Sequence, residues 1–195
     1  QVPVASPGHS NAQGYLLQAG LLGNFLLGDP QYDTLKFKPE DHLPGLNLLS
    51  TMLDATPDLS TFFALGNKLI LWHGTGDAPI SDKASIQYFD AVADAVGGAD
   101  VRDASMEFFL APGVGHCLDG PGPDTVELLA PLAAWVEGGQ RPSGSKLVAR
   151  KVDFATGAVA ASRPLCRYPA YPSYVGRGDP NSAESFVCKT PDVKQ

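Results

Sequence analysis

The alternation of apolar and polar positions in the middle of the chain predicts two strands and two helices. Residues 68–73 form a continuous apolar run bounded by glycine, which is typical of a buried parallel strand. Residues 81–96 have an apolar face at helical spacing and predict an amphipathic helix. A second strand over residues 106–110 and a second helix over residues 125–136, with Asp124 as its N-cap, complete the series. The order strand–helix–strand–helix predicts a parallel sheet and therefore an α/β fold.

The flanking segments give weaker patterns. Residues 14–27 are apolar at helical spacing, but three glycines weaken the predicted helix. Residues 46–54 and 59–65 predict short helices, the second of them capped by Asp58. Residues 140–195 are rich in proline and small polar residues, which predicts an extended tail that wraps the domain without a core of its own.

Composition narrows the class of protein and its partners. The chain has 195 residues, of which 44% are hydrophobic and 18% are charged, as is typical of a globular protein. Its apolar runs are shorter than the ~20 residues that a membrane-spanning helix requires. The net charge of −7 argues against nucleic acid and against an anionic membrane as partners.

The three cysteines indicate an oxidising compartment. Cys166 and Cys188 bracket the proline-rich tail, and a disulfide between them would stabilise it by about 3 kcal/mol. Cys117 is then left over and requires either a partner elsewhere or a free-thiol role. The alternative is a cytosolic protein with three buried, reduced cysteines, which the composition of the tail disfavours. The opening at Gln1, without Met or a charged leader segment, suggests a processed terminus.

Asp77 and His116 are the candidate catalytic residues. Each follows a predicted strand, and Asp-then-His is the chain order of the last two members of an α/β-hydrolase triad. In parallel sheets the carboxyl ends of the strands meet at one edge, where ligands bind. An aspartate placed there can fix the tautomer of a histidine, which then acts as general base and general acid. Either residue alone would be an ordinary loop residue, but the pair predicts a catalytic site.

The same reasoning finds no nucleophile in this chain. No serine has a Gly-x-Ser-x-Gly or strand–Ser–helix context, and Ser143 follows a helix in the proline-rich region. Cys117 adjoins His116, but neighbouring side chains point apart, so a disulfide is favoured over a nucleophilic role. A metal site formed by His73, Asp77 and His116 is a weaker alternative. No metal-binding motif supports it, and we interpret His73 as a structural histidine at a strand end.

Several motifs resemble the tannase/feruloyl esterase family. They span residues 53–188 in the order found in that family. The motifs are Leu53-Asp54-Ala55-Thr56-Pro57-Asp58-Leu59-Ser60, Leu71-Trp72-His73-Gly74, Asp77-Ala78-Pro79-Ile80, Pro112-Gly113-Val114-Gly115-His116-Cys117, Gly120-Pro121-Gly122-Pro123, Arg163-Pro164-Leu165-Cys166, Gly178-Asp179 and Ser185-Phe186-Val187-Cys188.

The resemblance implies an α/β-hydrolase with a lid inserted into its core. Residues 1–60 would be the end of the lid and its return to the core, and residues 61–195 the C-terminal part of the catalytic domain. By the same match Asp77 is the triad acid and His116 the base. The nucleophilic serine would lie in an N-terminal portion or chain outside this sequence.

The resemblance also assigns the remaining residues. In the family, the cysteine before the serine forms a disulfide with the cysteine after the catalytic histidine. That gives Cys117 a partner outside this chain and leaves Cys166 and Cys188 as a local bridge. Ile80, three residues past the acid, would line the acyl or aromatic pocket.

We therefore expect a secreted serine carboxylesterase that hydrolyses small aromatic-acid esters, with this chain supplying the acid and the base. No cofactor or metal is expected in this chain, and a calcium ion would belong to the lid portion outside it. Neither nucleic acid nor a membrane is expected as a partner. The alternative is a non-catalytic fragment or binding module derived from half of a hydrolase.

Overall fold

A computed structural model describes residues 13–144 and 147–192 and divides the chain into two compact units. The first unit comprises the described part of Gln1–Thr56 together with Ala78–Ile80. The second comprises Pro57–Asp77 and the described part of Ser81–Gln195. Both candidate catalytic residues, Asp77 and His116, belong to the second unit.

The first unit is helical. The helix predicted over residues 14–27 is present, but it changes type at Gly20 and ends at Gly28, which adopts the left-handed conformation. The segment before the next helix contains two short 3₁₀ turns. The elements are α1 (Gln13–Ala19), a π-helix (Gly20–Leu27), 3₁₀ turns at Thr34–Lys36 and Pro39–His42, and α2 (Leu43–Leu53).

The second unit contains the predicted parallel sheet. After α3 (Ser60–Ala64), strand β1 (Leu69–Gly74) pairs in parallel with β2 (Met106–Ala111), from Leu69 opposite Met106 to Gly74 opposite Ala111. Helix α4 (Asp82–Val96) connects them and is capped by the Ser81 hydroxyl, which accepts a hydrogen bond from the Lys83 amide. The predicted βαβ unit is thereby confirmed. A short additional helix, α5 (Ala99–Ser105), was not predicted.

Both faces of this sheet are covered, which explains why β1 is apolar without alternation. On one face Met106 and Phe108 of β2 pack with Phe89 and Val92 of α4. On the other face Phe109 and Ala111 of β2 pack with the apolar residues Val114, Leu147 and Leu165. The two strands are therefore fixed from both sides up to the points where their loops begin.

The segment after β2 differs from the prediction. Helix α6 (Leu129–Gly138) begins four residues later than expected, because Thr125 pairs instead with Arg150. The Glu127 carboxylate accepts hydrogen bonds from the first amides of α6. Asp124 is therefore not the helix cap, and that prediction is wrong.

The tail contains two antiparallel strand pairs that the sequence did not predict. Strand β3 (Val148–Val152) pairs with β4 (Val159–Pro164), and β5 (Tyr171–Tyr174) pairs with β6 (Phe186–Lys189). The disulfide between Cys166 and Cys188 is present, as expected for the tail. Within the part of the chain that the structure describes, no helix has the length and apolar character needed to cross a membrane.

Candidate active site

The loops that follow β1 and β2 are joined by hydrogen bonds. The Thr75 amide donates to the Ala111 carbonyl at 3.0 Å, and the Gly76 amide donates to the Val114 carbonyl at 2.8 Å. In the opposite direction, the Gly113 amide donates to the Thr75 hydroxyl oxygen at 3.0 Å. The two strand ends consequently form one hydrogen-bonded corner, and a side chain on either loop has a defined position relative to the other.

Gly74 allows this close approach. A Cβ atom at position 74 would lie 2.3 Å from the Val114 carbonyl oxygen and 2.8 Å from that of Gly115, closer than real contacts permit. Any larger residue would push away the backbone immediately before His116. The glycine after the apolar run is therefore a packing requirement of the corner.

This corner brings Asp77 and His116 together across 39 residues of sequence. The Nδ1 atom of His116 lies 2.9 Å from Oδ2 of Asp77. The Asp77 side chain is 5% exposed, whereas the imidazole of His116 is 37% exposed. A buried carboxylate on Nδ1 leaves Nε2 of the exposed ring available for proton transfer, which is the arrangement of the acid and base in a Ser-His-Asp triad.

A second histidine contacts the same carboxylate oxygen. Nε2 of His73 lies 3.3 Å from Oδ2 of Asp77, and its Nδ1 lies 2.7 Å from the hydroxyl of Ser85. The sequence alone predicts His73 only as a structural histidine or a weak metal candidate. The missed signal is the tight Gly74-Thr75-Gly76 turn, in which the Asp77 amide donates to the Gly74 carbonyl and the chain returns toward the end of β1.

The loop that carries His116 contains two non-glycine residues in the left-handed region, Cys117 at φ 65° and Asp119 at φ 70°. Two short-range hydrogen bonds stabilise this backbone. The Leu118 amide donates to the His116 carbonyl, and the Gly115 amide donates to the Asp119 carbonyl. A backbone so constrained fixes the point from which the His116 side chain leaves the main chain, and the contact with Asp77 then orients the ring.

Asp124 and Lys151 stabilise the C-terminal end of this loop, at Asp119 and Gly120. The buried Asp124 carboxylate accepts a hydrogen bond from the Asp119 amide at 3.0 Å and from Nζ of Lys151 at 2.6 Å. Lys151 also donates to the Gly120 carbonyl at 3.1 Å. Burial by itself raises the pKa of Asp124, but these hydrogen bonds and the positive charge of Lys151 outweigh it and hold the pKa below its ordinary value.

The other predicted site residues are the three cysteines and Ile80. Cys117 is exposed and forms no disulfide with the other two cysteines of the chain, which are bonded to each other. Ile80 is half exposed and belongs to the first unit. Among the residues that the structure describes, no three His, Cys, Asp or Glu side chains are arranged to hold a metal ion.

The geometry of the corner is that of the acid and base of an α/β-hydrolase, and comparison with known proteins assigns the family. The family model for tannase and feruloyl esterase matches residues 8–189. The chain belongs to the tannase and feruloyl esterase family, as its motifs predicted.

Individual relatives agree with this assignment. The chain is 38% identical over 134 residues to mono(2-hydroxyethyl) terephthalate hydrolase of Piscinibacter sakaiensis, a match that covers 69% of this chain and 22% of that protein. It is 41% identical over 138 residues to a probable feruloyl esterase of Arthroderma benhamiae, covering 69% of this chain and 25% of that protein. The chain thus spans about a quarter of the length of these curated relatives.

A solved structure has the same fold. An esterase from Aspergillus oryzae superposes with a TM-score of 0.74 at 25% identity, over 88% of this chain and 37% of that protein. The predicted fold class, the C-terminal part of an α/β-hydrolase, is confirmed.

Proposed function

We propose that this chain supplies the acid and the base of a serine carboxylesterase that hydrolyses aromatic-acid esters. The observation that carries the proposal is the 2.9 Å contact between His116 and Asp77 at the carboxyl ends of two parallel strands. The relatives named as feruloyl esterase and terephthalate ester hydrolase support the substrate class.

In the proposed reaction the hydroxyl of a serine outside this chain attacks the ester carbonyl carbon. Nε2 of His116 takes the hydroxyl proton as the serine–carbon bond forms, and the carbonyl oxygen becomes an oxyanion. The imidazolium then gives that proton to the departing alkoxide, which leaves as the alcohol while the acyl-enzyme remains. Water attacks the acyl-enzyme with His116 again as base, and the acid and the free serine are released.

Asp77 contributes through its burial and its position. A negative charge that is 5% exposed is little screened by water, so it interacts strongly with the imidazolium that forms on His116. Because a carboxylate only accepts hydrogen bonds, it also requires the neutral imidazole to carry its proton on Nδ1. Nε2 is then the basic nitrogen before each step.

Cys117 is the proposed link to the serine-bearing portion. It lies next to His116, is exposed, and is left without a disulfide partner inside the chain. We infer that it pairs with a cysteine near the nucleophilic serine, which would hold the serine loop against the histidine loop. In the same proposal the enzyme is secreted, and the calcium ion expected from the family belongs to the lid portion.

Turnover of methyl ferulate and methyl gallate by the enzyme that carries this chain and its serine-bearing portion tests the proposal. His116→Ala should lower kcat by about 10⁶-fold and Asp77→Asn by about 10⁴-fold, while the circular dichroism spectrum and melting temperature stay close to those of the wild type. His42→Ala is the matched control, because it also removes an imidazole but one whose described contact is a stack on the Phe37 ring and not a contact with Asp77 or His116. Near-normal turnover in both His116→Ala and Asp77→Asn would contradict the assignment.

A further inference from the structure

We propose that His73 is a positioning residue for Asp77: a neutral imidazole, oriented by Ser85, that holds the Asp77 carboxylate toward His116. The inference deepens the proposed function and depends on Asp77 acting as the triad acid. It assigns a task to a histidine that lies in the motif Leu71-Trp72-His73-Gly74 but has no role in the proposed reaction.

The side chains of Ser85, His73 and Asp77 form a continuous chain of polar contacts. The Ser85 hydroxyl, in the first turn of α4, lies 2.7 Å from Nδ1 of His73 at the end of β1. Nε2 of the same ring lies 3.3 Å from Oδ2 of Asp77. The side chains of His73 and Asp77 are 11% and 5% exposed, so both contacts are largely shielded from water.

The chemistry of the partners determines the tautomer of His73. A carboxylate oxygen can only accept, so the ring nitrogen that faces it must carry a hydrogen. In the neutral ring Nδ1 is then an acceptor, and the Ser85 hydroxyl, which can donate or accept, donates to it. The Asp77 carboxylate thereby selects the tautomer with hydrogen on Nε2, and the Ser85 hydroxyl supports the ring in that orientation through Nδ1.

The neutral form also suits the proposed reaction. A positive charge on His73 would offset the charge of Asp77 and weaken its stabilisation of the imidazolium on His116. A neutral N–H leaves the full negative charge on the carboxylate and still restrains its orientation.

The atom of Asp77 that His73 contacts explains how His73 restrains the carboxylate. Nδ1 of His116 and Nε2 of His73 both approach Oδ2, the same oxygen of Asp77. The terminal torsion of an aspartate is broad and roughly two-fold, so each additional contact on a carboxylate oxygen narrows the range of orientations available to it. Contact from a second direction keeps Oδ2 at the position where His116 meets it.

Steady-state kinetics of the complete enzyme test this inference. His73→Leu removes the donor and should lower kcat by about 10–100-fold, the loss expected for one hydrogen bond to a charged group, with KM changed less than about two-fold. His73→Gln keeps an N–H donor at a similar reach and should recover most of the lost kcat. Ser85→Ala should cause a smaller loss than His73→Leu, because the donor remains and only its orientation is released.

A double-mutant cycle distinguishes positioning from a general structural role. If His73 acts through Asp77, adding His73→Leu or His73→Gln to Asp77→Asn should lower kcat no further. The inference is overturned if His73→Leu retains wild-type kcat, or if its effect is equally large in the Asp77→Asn background. Should His73→Leu fail to fold, wild-type kcat in Ser85→Ala or an additive effect of His73→Gln would overturn it instead.

The two proposals fail in different ways. If Asp77→Asn itself leaves turnover unchanged, the triad assignment is wrong, and this inference falls with it. If Asp77→Asn abolishes turnover and the His73 variants do not, the triad assignment stands and only the role of His73 is wrong.

Discussion

The sheet of the second unit and the helices of the first unit use their apolar residues in different ways. Met106, Phe108 and Phe109 of β2 are fully buried, and the strand is packed on both faces. In the first unit Leu17 and Phe25 are 57% and 63% exposed. Burial on both faces fixes the register of β1 and β2 and hence the loops that hold Asp77 and His116. Among the residues that the structure describes, the first unit has fewer fully buried apolar side chains than the second.

This difference appears in the backbone as well. α4 has regular caps at both ends, with Ser81 at its start and left-handed Gly97 at its end. The apolar stretch of the first unit starts as an α-helix and continues as a π-helix from Gly20. The closely defined contact between Asp77 and His116 is therefore found where sequence pattern, capping and packing agree with one another.

The largest expected difference in stability between the two regions is seen by truncating one phenylalanine in each of them. Phe108→Ala should lower the free energy of unfolding by about 3–5 kcal/mol, because it empties a fully buried site between β2 and α4. Phe25→Ala, at a position that is 63% exposed, should change it by less than about 0.5 kcal/mol. Urea unfolding of the two variants measures this contrast. An equally large loss for Phe25→Ala would show that another part of the protein covers the first unit.

A smaller effect is expected from opening the disulfide of the tail. Cys188→Ser should reduce the free energy of unfolding by about 3 kcal/mol, because the bridge closes a separation of 22 residues in the unfolded chain. The exposed neighbour Val187→Ser is the control for a polar substitution in β6. The esterase kcat should be little changed, because the bridge touches neither Asp77 nor His116. A loss of kcat as large as that of His116→Ala would contradict this separation of roles.

The smallest loss of unfolding free energy among these substitutions, and the one that depends most on pH, is expected for replacement of Lys151. Lys151→Met should cost about 1–2 kcal/mol at pH 7, because it removes hydrogen bonds to Asp124 and to the Gly120 carbonyl. The pKa of Asp124 is depressed in the folded protein, so its contribution is present above the ordinary value of 3.8 and is lost as the pH falls through the lower folded value. The difference between wild type and Lys151→Met should therefore shrink below about pH 4.

Chemical unfolding of both proteins between pH 3 and pH 7 measures this dependence. Arg150→Met, on the neighbouring strand position, is the control, since Arg150 meets Thr125 through its backbone. A constant difference between wild type and Lys151→Met across the whole range would refute the linkage to Asp124.

The elements that position Asp77 and His116 could be predicted because each carries a local signal. β1 is a continuous apolar run, and α4 has both an apolar face and a capping serine. The juxtaposition of Asp77 and His116 followed from the rule that parallel strands end at one edge. The disulfide of the tail followed from composition and from the family motifs.

The features that the sequence did not predict depend on contacts between residues that the local pattern does not relate to one another. The start of α6 is delayed because Thr125 pairs with Arg150, and Asp124 turns to Lys151 instead of capping the helix. The strands of the tail include charged residues and prolines, so neither alternation nor an apolar run marks them. The contact of His73 with Asp77 depends on a tight turn, whose geometry a motif search does not evaluate.

The central claim, that this chain supplies the acid and base for a serine located elsewhere, is tested most directly by covalent labelling. The purified enzyme is treated with a fluorophosphonate, digested without reductant, and the labelled peptide is identified by mass spectrometry. The account predicts one labelled serine outside this sequence, in a peptide that is disulfide-linked to the peptide containing Cys117, and loss of the label in His116→Ala. A labelled serine within residues 1–195, or active enzyme with no labelled serine, would contradict it.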